Sequence, residues 1–140
     1  MTTKKYLKQV IRLQKNIEYR KEQLEELKEL STSIGSFDYS RDVVDTTPTG
    51  DGMENKVIKV ADLEAEIKEK IILYTIKKNQ IISEIESLEQ ETLIDILMKV
   101  YVEDKSLEQV AVELAYSYDR VRHLHGIALA EFEKRRKANV

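Results

Sequence analysis

From about Lys4 to Ile34, apolar residues recur at spacings of three and four: Tyr6, Val10, Leu13, Ile17, Leu24, Leu27 and Ile34, with interruptions at Arg20 and Ser31. This period predicts one long amphipathic helix. Gly35, in the run STSIGS, is its natural stop, because glycine takes the left-handed cap conformation without penalty. The following residues, 36 to 53, include Pro48, Gly50 and Gly52 and keep no sustained period, so a long loop is expected over 35–53. Loops of that length are usually functional or disordered. Asp51 with Glu54 would cap the next helix.

That next helix is expected from about Met53 to Gln90, with Val60, Leu63, Ile67, Ile71, Tyr74, Ile81, Ile85 and Leu88 on one stripe. At 1.5 Å per residue it would be about 50 Å long. Ile58, Ile72, Leu73, Ile76 and Ile82 widen its apolar face beyond what a single partner helix covers. An antiparallel, coiled-coil-like hairpin that associates with further copies is therefore expected, with a dimer favoured. Val60, Ile71 and Ile82 lie eleven residues apart, which points to weakly supercoiled packing rather than a strict heptad zipper. A short helix over Thr92 to Val102, apolar at Leu93, Ile96, Leu97, Val100 and Tyr101, completes the pattern before the last segment.

Ser106 to Gly126, SLEQVAVELAYSYDRVRHLHG, has the spacing of a helix-turn-helix. Leu107, Val110, Ala111, Leu114, Tyr116, Val121 and Leu124 supply the small core such a unit needs, and Ala111 is small where two crossing helices meet. Ala115 stands where the turn usually carries glycine. Ser106 with Gln109 forms a capping box, and Ser117, followed by Asp119, caps and charge-matches the second helix. With Ser117 as N-cap, the outward face carries Tyr118, Asp119, Arg122 and His123, with Arg120 toward the flank. Arg122 can give a bidentate donor pair to guanine, His123 can reach a base edge or phosphate, and Tyr118 can reach phosphate or stack. Asp119 serves as a helix-start residue or as an acceptor for a cytosine amino group. The helix then runs on to Lys134, Arg135, Arg136 and Lys137, a basic end suited to phosphates. The domains expected are thus 1–91, the helical hairpin, and 92–140, a three-helix module. The fold class is all-α.

Composition adjusts this picture modestly. The chain has 140 residues and a formal charge of −3, with 35% charged and 41% hydrophobic residues, one Pro, four Gly and no Trp. That balance fits solvent-washed helices. The absence of cysteine removes disulfides and thiolate metal sites and fits a reducing cytoplasm. No secretory leader or membrane-length apolar run is recognisable. Charge is unevenly placed. Ser117 to Val140 holds six Lys or Arg against three acids. Residues 1 to 21 hold seven (Lys4, Lys5, Lys8, Arg12, Lys15, Arg20, Lys21) against Glu18, and residues 84 to 95 hold five acids and no base. Either the basic arm lies against the acidic stretch, the commoner fate of charge runs, or it adds phosphate contacts beside the helix-turn-helix.

No cofactor, metal or catalytic site is expected. His123 and His125 fall on different helix faces with no further ligands to complete a shell. GDG at 50–52 lacks the strand, Lys and Ser/Thr of a phosphate loop. Tyr6, Tyr74 and Tyr101 fall on apolar stripes and read as core. Nothing supports an enzyme.

VYVEDKSLEQVAVELAYSYDRVRHLHGIALAEFEK resembles the region 4 DNA-binding module of sigma factors, with its support helix and the phrases S-L-x-x-V-A-x-x-L and S-x-x-R-V-x-x-L-x-x-x-A-L. That likeness covers about the last 45 residues. Across the whole chain, the long N-terminal helix, the segment TTPTGDGMENKV and this module resemble small phage proteins from Gram-positive hosts, grouped with the RinA and ArpU type regulators of late genes. The resemblance implies a transcriptional regulator of late or packaging genes in the bacterial cytoplasm, with Ser117, Tyr118, Asp119, Arg120, Arg122 and His123 at recognition-helix positions. Double-stranded DNA is the expected partner, with host RNA polymerase an open second one. A small terminase subunit, and a helical interaction protein that binds no DNA, are the alternatives.

Overall fold

The computed structural model describes residues 1–38 and 46–138, with side chains over 1–30 and 55–138. The chain is all-α. Its helices are α1 (Thr3–Leu7), α2 (Gln9–Asp38), α3 (Thr46–Glu86), α4 (Glu91–Leu97), α5 (Leu107–Leu114) and α6 (Tyr118–Ala138), with a π-helical turn at Met98–Val102.

The loop expected over 35–53 is helical at both ends, since α2 continues through Gly35 to Asp38 and α3 begins at Thr46. Residues 39–45 lie outside the described residues. Glycine within a helix costs about 1 kcal/mol relative to alanine, which the long flanking helix can absorb. Pro48 falls in the first turn of α3, where the missing N–H would have no intrahelical acceptor. Asp51 is therefore inside α3 rather than at its cap.

Two compact units divide the chain: residues 1–14 with 74–140, and residues 15–73. The boundary expected at 91/92 does not coincide with this division, because 1–14 and 74–91 cluster with the C-terminal helices.

In the first unit, Thr2 caps α1 by accepting the Lys5 N–H at 3.2 Å. Tyr6, Leu7, Val10, Ile81, Ile85, Leu88, Leu93, Leu97, Tyr101, Ala128 and Phe132 form one buried cluster. Ile96, Val110, Ala111 and Val121 form a second, with Val100 and Leu124 bordering both. The helical period explains the split. Leu93 and Leu97, four residues apart, face one cluster, while Ile96 faces the other, so α4 is a wall shared by both. The π-helical turn extends this wall by placing Tyr101 in the larger cluster.

In the second unit, Ile17 and Ile67 are the buried apolar residues among those described. Arg20 pairs with Glu66 at 3.4 Å and Lys28 with Glu64 at 3.4 Å. Ile58, Ile72 and Leu73 remain 55%, 59% and 61% exposed.

Candidate nucleic-acid interface

The α5–α6 pair is built by local signals that close its ends. Ser106 caps α5 in a full capping box: its hydroxyl accepts the Gln109 N–H at 3.2 Å, and the Gln109 side chain accepts the Ser106 N–H at 2.9 Å. At the other end, Ala115 adopts φ 59°, ψ 39°, the left-handed conformation. The Tyr116 N–H then donates to the Ala111 carbonyl at 2.9 Å and the Ala115 N–H to the Val112 carbonyl at 3.2 Å, the bond pair of a Schellman turn. Ser117 follows at once and accepts the Arg120 N–H at 3.2 Å as the cap of α6. Three residues thus reverse the chain with both helix ends satisfied.

Beneath the pair, Val110, Ala111 and Val121 pack with Ile96 of α4. Outside it, Glu113 receives Lys105 at 2.7 Å and Lys99 at 3.1 Å, which ties α5 to the turn after α4. These two hydrogen-bonding ammonium groups hold the Glu113 carboxyl below its ordinary value.

The residues expected to read DNA fall into two sets. Ser117, Tyr118, Asp119, Arg120, Arg122 and His123 are all exposed on the first turns of α6, Tyr118 at 42%. At about 100° per residue, Tyr118, Arg122, Asp119 and His123 share an arc of about 140°. Val121, His125 and Ala128 turn inward. The Arg120 guanidinium stacks 4.1 Å from the Tyr116 ring centroid, consistent with its expected place at the flank.

The basic set lies further along α6. Lys134 is eleven residues past His123, about 17 Å along the axis. Lys134 and Lys137 share the outward arc, and Lys137 pairs with Glu133 at 3.4 Å. Arg135 and Arg136 turn instead toward the end of α3. Arg135 meets Glu89 at 3.2 Å and Arg136 meets Glu84 at 3.6 Å, while the Arg136 guanidinium also sits 3.5 Å from the Tyr6 ring centroid. The Tyr6 hydroxyl donates to the same Glu84 carboxylate, and burial, reinforced by Glu84, pushes its pKa to about 12. The acidic stretch therefore takes its ion pairs from the α6 tail. The basic arm does pack on this region, but through Tyr6, Leu7 and Val10 rather than through its lysines. An open groove of about 400 Å³ lies here, beside Tyr6, Ser83 and Arg136.

One feature of this helix is not visible in the sequence pattern. His125 is buried, its ring stacks on Tyr101 with centroids 5.7 Å apart, and its Nε2 shares a 2.8 Å hydrogen bond with the Tyr101 hydroxyl. Burial, and then the charge of Lys4, hold the imidazole pKa below its ordinary value. The spacing of His123 and His125 separated their faces correctly, but no signal in it named Tyr101, 24 residues earlier, as the partner.

Among the described residues, no group of three His, Cys, Asp or Glu is placed to hold a metal ion, and no helix is long and apolar enough to cross a membrane. Comparison with protein-family models finds no match to this chain, and comparisons with curated proteins and with solved structures find none either.

Proposed function

We propose that α4, α5 and α6 form a helix-turn-helix module that binds double-stranded DNA in a sequence-specific manner, and that the chain acts as a phage-type transcription regulator. One observation carries this reading. The first turns of α6, launched by a closed turn and backed by a sealed core, present Tyr118, Asp119, Arg122 and His123 to solvent on one face. That is the arrangement a recognition helix needs, with its N-terminal residues free to meet base edges. Lys134 extends the same outward face with a phosphate-binding charge. The late-gene or packaging-gene role rests on the sequence resemblance alone.

The exposed Ile58, Ile72 and Leu73 favour self-association through the long helices, as a hairpin, which would bring two recognition helices to one site. A ring of many subunits would instead favour the terminase alternative.

The test is selection of duplexes from a random-sequence pool. The wild-type chain should enrich a defined motif. Arg122→Ala should relax preference at one base position, with a loss of about 1–3 kcal/mol in discrimination, while Lys134→Ala weakens all duplexes alike. Failure of the wild-type chain to bind any duplex at low salt would overturn the proposal.

A further inference from the structure

The N-terminal arm carries charge that α6 and α3 leave unused. Residues 1–14 contain Lys4, Lys5, Lys8 and Arg12 and no acid. α1 packs on α6 and buries Tyr6 and Leu7, with Val10 following in α2. The helical path continues through the junction, since the Lys8 N–H donates to the Lys4 carbonyl at 2.9 Å and the Arg12 N–H to the Lys8 carbonyl at 3.0 Å. At about 100° per residue, the four cations share an arc of about 100° opposite that buried face. All four are exposed.

The two acids of the 84–95 stretch that form ion pairs take them from α6 and not from this row. Glu84 is engaged by Tyr6 and Arg136, and Glu89 by Arg135. Among the described residues, no ion pair joins Lys4, Lys5, Lys8 or Arg12. Lys4, Lys8 and Arg12 stand at successive i, i+4 positions, where like charges repel by about 0.2–0.5 kcal/mol per pair. A row that costs stability in the free protein is relieved by an anion laid along it. The row spans about 12 Å, over which a duplex presents one phosphate charge per ~1.7 Å of axis. Its position is also specific. α1, which carries Lys4 and Lys5, packs on α6, where Tyr6 and Leu7 share a cluster with Ala128 and Phe132, and Arg122 lies six residues before Ala128 on that helix.

We propose that Lys4, Lys5, Lys8 and Arg12 form a second DNA contact, gripping the phosphate backbone of the duplex whose bases the first turns of α6 read. This inference rests on the DNA-binding reading of α6. It assigns α1 to affinity and α6 to discrimination, because phosphate contacts carry no sequence information directly.

The experiment titrates three proteins, the wild type, the combined Lys4→Ala, Lys8→Ala, Arg12→Ala variant, and Arg122→Ala, against duplexes selected by the wild type, over about 50 to 300 mM salt. Alanine preserves helix propensity at these exposed positions, and thermal melting confirms that each variant is folded. The expected result for the triple variant is an unchanged preferred motif and a salt slope of log Kobs shallower by about 2 to 3, at ~0.9 per phosphate neutralised. A triple variant with the wild-type slope, while Arg122→Ala still relaxes the motif, overturns this inference and leaves the reading of α6 standing. A wild type that binds no duplex overturns both. Loss by the triple variant of binding to anionic phospholipid vesicles, with its duplex slope intact, would assign the row to a membrane surface and reject the proposal.

Discussion

The two units of this chain are written in the same hydrophobic period and reach opposite degrees of burial. In residues 1–14 with 74–140, Leu7, Val10, Ile81, Ile85, Leu93, Ile96, Leu97, Val110, Val121 and Phe132 are almost wholly withdrawn from water. In residues 15–73, only Ile17 and Ile67 are buried among the described side chains, and Ile58, Ile72 and Leu73 keep more than half of their surface. The difference lies in the number of walls. The first unit sets α1, α4, α5 and α6 around shared clusters, so each stripe meets apolar surface on several sides. The second has segments of α2 and α3 alone. Periodicity states which face of a helix is apolar, and not what will cover it.

If this contrast is right, truncating the two cores should have unequal effects. Phe132→Ala removes an almost fully buried aromatic side chain that lies 6.0 Å, centroid to centroid, from Tyr6, and should destabilise the first unit by about 3–5 kcal/mol in urea denaturation. Ile67→Ala should cost about 2 kcal/mol, the low end for a buried isoleucine, because Ile17 is the one other buried apolar side chain among the described residues of that unit and its neighbours can close the space. Equal losses at the two positions would show that the second unit is as well packed as the first.

The exposed stripe of α3 sharpens the same point. If further copies of the chain cover Ile72, then Ile72→Asp should weaken association by about 1.5–3 kcal/mol per side chain removed from the interface. Sedimentation equilibrium would report this as a shift toward monomer. A wild-type chain that stays monomeric at every concentration would remove the interface altogether.

The depth of burial in the first unit also predicts a pH response. His125 sits against Tyr101, with Lys4 nearby, and its imidazole is harder to protonate folded than unfolded. As pH falls through about 6.5, the unfolded chain binds the proton first, so stability declines from there until the lowered folded pKa is reached, at a slope of at most ~1.4 kcal/mol per pH unit. Above pH 6.5 the contribution is flat. Melting curves between about pH 7.5 and 5, above the range where most carboxylates titrate, should show the decline in the wild type. His125→Gln should flatten it. A wild-type profile that stays flat across this window would mean the histidine is solvated rather than enclosed.

What could be read from the sequence divides by range. Signals that act over three to five residues were legible: the Ser106–Gln109 box, the Ser117 cap, the left-handed turn at Ala115 and the outward face of Tyr118 to His123 all appear where the spacing put them. Pairings across tens of residues were not. Nothing near Arg135 and Arg136 announces Glu89 and Glu84 as their partners, so a tail that read as four phosphate-binding cations proves to be half committed to the protein's own fold. Gly35 and Pro48 misled in a different way. Each is a breaker by propensity, but the penalty at one position is small against long helices on either side, and a proline in the first turn of α3 carries almost none.

Ala115 offers the finest test, because it sets the direction of α6 and so the face that the proposed function assigns to DNA. The turn needs a residue at φ 59°, where a Cβ crowds the following carbonyl, and the chain places alanine there. The strain is borne because the Schellman bonds from Tyr116 and Ala115 and the Ser117 cap all require that conformation. Ala115→Gly relieves the crowding and gives back part of the gain through the greater freedom of the unfolded chain, so a net stabilisation of about 0.5–1 kcal/mol is expected. Because the helix directions are unchanged, any DNA motif selected under the proposed function should be unchanged too. A variant that is more stable but selects a different motif would show that alanine's methyl group helps to aim α6. A variant that is less stable would mean that the left-handed turn is not the conformation held in solution.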